Sequence, residues 1–239
     1  IVEFTIQESP LNIVEKLLEH NPKIIGFSVY IWNVTEVNKT VAMLKQLAPD
    51  IIVILGGPEV SHQPDIPAVA ELADYVISGP GEVSVKELCT ELLADKRPEQ
   101  KFIEGEALPL EQLVLPYDFY TDEDIKNRLI YVEASRGCPF KCEFCLSALD
   151  KTSTAFPLEP FLAAMDKLLQ RGVRNFKFID RTFNLKISTT ITILEFFLAR
   201  MSDDLYLHFE LVPDNLPEKL KVVLKRFPPH SLQFEIGVQ

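Results

Sequence analysis

The strongest constraint on the fold is an alternation of short apolar runs with amphipathic stretches. Val2–Ile6 reads as a short strand. Pro10–His20 reads as a helix with Leu11, Val14, Leu17 and Leu18 on one stripe, and Ile24–Tyr30 as a buried strand. Thr35–Leu47 is helical, and Ile51–Leu55 is a strand halted by Gly56-Gly57-Pro58. Ile66–Leu72 reads as a helix, Tyr75–Ile77 as a strand ending in Ser78-Gly79-Pro80-Gly81, and Val83–Leu93 as a final amphipathic helix. Strands and helices in strict alternation join through right-handed crossovers, which predicts an α/β fold: a Rossmann-like open parallel sheet covered on both faces.

Residues 95–128 break the rhythm with Pro98, Pro109, Pro116 and the acidic run Asp122-Glu123-Asp124. The expected organisation is therefore a first domain over 1–97, a linker over 98–128 and a second domain over 129–239. At about 100–200 residues per domain, 239 residues suit one or two domains. In the second domain Ile130–Ala134, Asn175–Ile179, Tyr206–Leu211 and Leu232–Ile236 read as strands. Glu159–Gln170, Ser188–Met201 and Pro217–Lys225 read as the helices between and after them. That is about four β/α steps, a partial (β/α) barrel, because an eight-step barrel needs more chain. Both ends fall inside the pattern, at Ile1 and just after Leu232–Val238, so the chain reads as a piece of a longer protein.

Composition narrows the class. The formal net charge is −11, which argues against a protein that coats nucleic acid through clustered Lys and Arg. The charge is uneven: residues 1–128 carry 10 basic and 22 acidic side chains, residues 129–239 carry 14 and 13. No apolar run approaches the roughly 18–20 residues that span a bilayer, and no basic-then-apolar leader is visible, so a cytoplasmic protein is expected.

Four cysteines are far too few for a disulfide scaffold. Three of them sit in Gly137-Cys138-Pro139-Phe140-Lys141-Cys142-Glu143-Phe144-Cys145, a Cys-x3-Cys-x2-Cys spacing just after a strand. Three clustered thiolates suit one soft metal centre. Iron–sulfur clusters are normally held by four thiolates, so three would leave one iron open to an outside ligand. A structural zinc site is the alternative, but it wants four protein ligands, and His20, His62, His208 and His230 all lie far from the loop in sequence. A chance cluster is the third reading. Cys89, inside a helix, reads as a small buried hydrophobe and Trp32 as a loop or interface aromatic.

The cysteine spacing, with an aromatic before the third cysteine, a preceding strand and following β/α units, resembles the signature of the radical S-adenosylmethionine enzymes. The resemblance implies that Cys138, Cys142 and Cys145 hold a [4Fe–4S] cluster and that S-adenosylmethionine occupies the fourth iron. Reductive cleavage would then yield a 5′-deoxyadenosyl radical. It implies Phe144 near the adenine, and cofactor contacts from polar residues at strand ends, here Asp180, Asn184, Glu210 and Glu235. A low-potential donor such as flavodoxin or ferredoxin would be its electron partner.

The first domain is similar to the cobalamin-binding domain found ahead of many such enzymes. The similarity rests on Gly26-Phe27-Ser28-Val29-Tyr30, on Leu55-Gly56-Gly57-Pro58-Glu59-Val60-Ser61, and on Asp74-Tyr75-Val76-Ile77-Ser78-Gly79-Pro80-Gly81-Glu82. It implies Ser28 near the dimethylbenzimidazole tail, Gly56 and Gly57 along its channel, and Gly79 to Glu82 as a further edge. Tyr30 stands where the family's Ser-x-Leu element has Leu, and the Asp-x-His-x-x-Gly motif is absent. The first strand of such a domain is expected upstream of Ile1. The function implied is a cobalamin-associated radical enzyme acting by methyl transfer or rearrangement on a small-molecule or unknown substrate. The alternatives are a methylthiotransferase-like tRNA modifier, which would want a basic RNA-binding module, and a non-catalytic iron–sulfur or cobalamin module.

Overall fold

The computed structural model describes residues 1–62, 66–143, 145 and 152–237, in two compact units, Ile1–Leu108 and Pro109–Gln239. In the first unit, Ser9 starts helix α1 (Pro10–Glu19) by accepting the Asn12 N–H at 3.2 Å, with Pro10 pre-set for the first turn. Strands β1 (Ile24–Ser28), β2 (Ile52–Gly56), β3 (Tyr75–Ser78) and β4 (Phe102–Glu104) form one parallel sheet in that order. Ile25, Val53, Leu55 and Val76 point to one face. They pack on Val14 of α1, on Val37, Val41 and Leu44 of α2 (Val34–Leu47), and on Val69 of the short α3 (Val69–Leu72). Ile52, Ile54, Tyr75 and Ile77 point to the other face and pack on Leu88 and Leu92 of α4 (Glu82–Leu93). Helices on both faces of parallel strands bear out the Rossmann-like expectation.

Two expectations for this unit are corrected. Residues 2–6 form no strand. They have no ladder partner, no strand pairs with the outer edge of β1 among the described residues, and Val2 and Ile6 are exposed. The stretch 98–128 is not a free linker. Ile103 of β4 pairs with Ile77, which extends the first sheet, while Tyr117 is buried in the core of the second unit. Of the prolines that suggested a linker, Pro109 and Pro116 sit at two 3-10 turns, Leu110–Gln112 and Pro116–Phe119, and the Pro98 carbonyl accepts the Tyr75 hydroxyl of β3 at 3.1 Å.

The second unit opens with α5 (Asp122–Asn127), which has a reciprocal cap between Thr121 and Asp124. Strands β5 (Ile130–Val132), β8 (Asn175–Phe178), β9 (Tyr206–Leu211) and β10 (Leu232–Ile236) form a second parallel sheet, each new strand beside the last. Between β5 and β8 a two-stranded antiparallel hairpin, β6 (Ser135–Gly137) with β7 (Ser153–Ala155), brackets the cysteine segment. Helices α6 (Leu158–Gln170), α7 (Ile187–Leu198) and α8 (Glu218–Leu224) complete the steps. Ile130, Val132, Phe176, Phe178, Leu207 and Phe209 join Phe161, Met165, Ile193, Phe197 and Leu220 from these helices in one core. The rings of Phe178 and Phe209 lie 4.6 Å apart and those of Phe183 and Phe209 4.2 Å, separations that add to plain burial. All three helices cover the same sheet face, the arrangement of a (β/α) barrel segment.

Candidate functional site

Alternation along β8 and β9 puts their polar residues on the face away from the helices. Lys177 lies between buried Phe176 and Phe178, and His208 and Glu210 alternate with Leu207, Phe209 and Leu211. The register pairs Lys177 with His208 and Glu210 with Glu235 of β10. This second face is therefore a polar surface at the carboxyl ends of parallel strands, where ligands of α/β sheets bind.

Glu235 is held from two sides. Its Oε1 accepts Lys177 Nζ at 2.5 Å and lies 2.7 Å from Nε2 of the buried His208. The imidazole contact is close but poorly angled for a hydrogen bond. The Lys177 hydrogen bond, ahead of the smaller pull of its charge and of His208, holds the Glu235 carboxyl below the usual range. Glu210 has no ion pair among the described residues.

Cys138, Cys142 and Cys145 are free thiols that share one cavity of about 810 Å³ with Glu210, Glu235 and Arg181. Gly137 turns the chain out of β6 with φ 89°, Cys138 is buried, Cys142 is exposed, and the Cys145 N–H donates to the Cys142 carbonyl at 3.0 Å. Among the described residues no three His, Cys, Asp or Glu side chains are drawn close enough together to hold a metal ion. The donor chemistry nonetheless fits a three-thiolate cluster: three soft ligands and two carboxylates line the same cavity. Phe144 lies outside the described residues.

Two of the expected cofactor contacts are directed elsewhere. Asp180, 1% exposed, is not on the cavity wall. Its Oδ2 accepts the Ala134 N–H at 2.9 Å and its Oδ1 the Ser135 hydroxyl at 2.6 Å. Burial pushes its carboxyl up to about 6, opposed by the Ser135 and Ala134 hydrogen bonds and reinforced by the nearby Glu133 charge. Asn184, fully buried, donates from Nδ2 to the carbonyls of Val212 and Asn215 and accepts the Val212 N–H on Oδ1. It clamps the loop after β9. Lys177 and His208 were not expected at the site. The alternating pattern Phe-Lys-Phe and Leu-His-Phe-Glu-Leu was the signal for them.

In the first unit, Ser28, Gly56, Gly57 and Gly79 line a cavity of about 740 Å³ on the α4 side of the sheet, whereas Glu82, the first residue of α4, does not. Gly26 in its wall would place an added Cβ in open space. Gly57 has a separate, local reason: with φ 106°, an added Cβ would stand 2.5 Å from the Val29 carbonyl oxygen. Tyr30 and Trp32 stack beyond β1, ring centroids 4.5 Å apart.

Residues 2–89 match the family described as the B12 binding domain. An uncharacterized methyltransferase of Pyrococcus horikoshii is 24% identical over 206 residues, covering 76% of this chain and 44% of its own length. The cobalamin-dependent radical SAM methyltransferase TokK of Streptomyces tokunonensis is 27% identical over 167 residues, covering 59% of this chain and 23% of its own. The structure of the radical S-adenosylmethionine methyltransferase TsrM from Kitasatospora setae, with cobalamin and a [4Fe-4S] cluster bound, superposes with a TM-score of 0.68. That match has 17% identity and covers 95% of this chain and 50% of that one. At that identity the likeness shows the fold. The chain spans half or less of the length of these relatives.

Proposed function

We propose, from the premise that this chain is a B12-binding-domain radical S-adenosylmethionine protein, that it forms the cofactor-binding part of a methyltransferase. The observation that carries this reading is the placement of three free thiols and two carboxylates on one cavity, in a chain whose first unit is a B12-binding domain. Cys138, Cys142 and Cys145 would hold the [4Fe–4S] cluster. When bound, the cluster supplies an electron to S-adenosylmethionine and the cobalamin carries a methyl group. Glu210, uncompensated by any cation among the described residues, is suited to the ammonium group of S-adenosylmethionine. Arg181, on the same wall, is suited to a carboxylate. Lys177 and His208 fix Glu235, whose exposed side faces the cavity. In the first unit, Gly26, Ser28 and Gly56 leave room for a flat ligand against the sheet.

Methyl transfer is preferred to rearrangement because the relatives quoted above are named methyltransferases. A small-molecule substrate is preferred to RNA because neither half carries an excess of Lys and Arg beyond one charge. A cytoplasmic location and a flavodoxin- or ferredoxin-type electron donor complete the proposal. Anaerobic reconstitution with iron and sulfide should give about four irons per chain, and Cys142→Ala should abolish the cluster. One zinc and no sulfide would overturn it. Soaking the full-length protein in hydroxocobalamin should leave tightly retained corrinoid after gel filtration. Loss of all corrinoid would remove cobalamin from the reading.

A further inference from the structure

We propose that Asp180 is a positioning residue for the cysteine segment: from just after β8 it holds the Ala134 N–H and the Ser135 hydroxyl, and so sets how firmly the three cysteines hold their metal centre. The proposal rests on the cluster reading above for its metal arm and on the geometry alone for its anchoring arm.

The cysteine segment leaves the sheet through β6 and returns through β7, strands of three residues each. A two-stranded hairpin that short is marginal by itself, yet it must close residues 138–152. Its base is held from outside. The Phe156 N–H donates to the Ala134 carbonyl at 2.9 Å, and Asp180 takes the Ala134 N–H and the Ser135 hydroxyl, contacts that span 46 and 45 positions. One residue upstream, the Tyr117 hydroxyl accepts the Glu133 N–H at 2.9 Å and donates to the Glu133 carbonyl at 3.2 Å. The two side chains thus grip consecutive residues, 133 to 135, just before Cys138.

A buried carboxylate is unfavourable unless hydrogen bonds satisfy it. Here each Asp180 oxygen has a partner on the segment that carries the cysteines. Residues behind metal ligands orient them, and their loss weakens metal binding by about 10–100-fold.

The test compares the anaerobically reconstituted chain with Asp180→Ala, Asp180→Asn and Phe197→Leu. Asparagine keeps an oxygen for Ala134 and an amide that Ser135 can accept from, whereas alanine keeps neither. Phe197 is a core residue of α7 packed on Phe176 and Phe178, so its variant lowers stability without touching the segment. Iron release to a chelator is timed alongside thermal melting. Asp180→Ala is expected to release iron about tenfold faster, with Asp180→Asn and Phe197→Leu near the parent rate. A parental rate in Asp180→Ala, or an equal acceleration in Phe197→Leu, overturns the proposal. Amide exchange of residues 133–138 in the metal-free chain is the second readout, expected to rise in Asp180→Ala only. If the parent takes up no iron, the cluster reading fails, while the exchange result still decides whether Asp180 anchors the segment.

Discussion

Asp180 and Glu235 are two carboxylates at strand ends with opposite electrostatics. The folded-state value of Asp180 is raised from 3.8 to about 6 by burial. Between those values the folded chain keeps a proton that the unfolded chain has lost, so stability falls as pH rises through the window and levels off above it. Asp180→Asn should flatten that part of the profile, read as urea midpoints from about pH 4 to pH 7; parallel profiles for parent and variant would contradict this origin. Glu235 has the opposite sign. Its carboxyl is lowered, first by the Lys177 hydrogen bond, so its contribution is present above the unfolded value and lost as pH falls. Lys177→Met should move the Glu235 titration, followed by carbon NMR, up toward the ordinary 4.5. Side chains such as these explain why site residues were only half legible in the sequence. A polar residue at a strand end can face the cavity, as Glu210 and Glu235 do, or turn back into the protein, as Asp180 and Asn184 do. Only tertiary hydrogen bonds decide which.

At the scale of elements, alternation made the long helices and the buried strands legible, because burial on one or both faces imposes a period. It failed where elements are too short for a period. Strands β4, β6 and β7 have three residues each, and they form because the sheet edge or the cysteine segment needs a partner. Residues 2–6 have a strand-like composition but no described strand to pair with, and composition alone does not make a strand. Two glycines separate a backbone requirement from open space. Gly57→Ala should destabilise the first unit by about 2 kcal/mol or more, since it combines positive φ with a clash on Val29. Gly26→Ala meets nothing within 4 Å and should leave stability unchanged or raise it by up to about 1 kcal/mol. Denaturant unfolding of the two variants gives the comparison. In the second unit Phe178, fully buried among four other rings, should cost about 3–5 kcal/mol on truncation to Ala, measured the same way.

Over the whole molecule, acidity belongs to residues 1–128, and the unit that carries the cysteines is close to neutral. The net −11 therefore says little about the ligands of the second unit. Among the described residues no helix is long and apolar enough to cross a membrane. The combination of domains was legible because each unit carries its own short signature, Gly-Gly after a strand in one and the cysteine spacing in the other. The boundary was less legible, because a proline-rich charged stretch has the composition of a linker even where it adds a strand to one unit and a buried tyrosine to the next. Everything proposed for the second unit depends on an iron–sulfur cluster held by Cys138, Cys142 and Cys145 with one iron open. The most direct measurement is the electron paramagnetic resonance spectrum of the reduced, reconstituted chain before and after S-adenosylmethionine is added. The expected result is a cluster signal that shifts on addition and is absent in Cys142→Ala. A signal indifferent to S-adenosylmethionine, or no cluster signal in the parent, would contradict it.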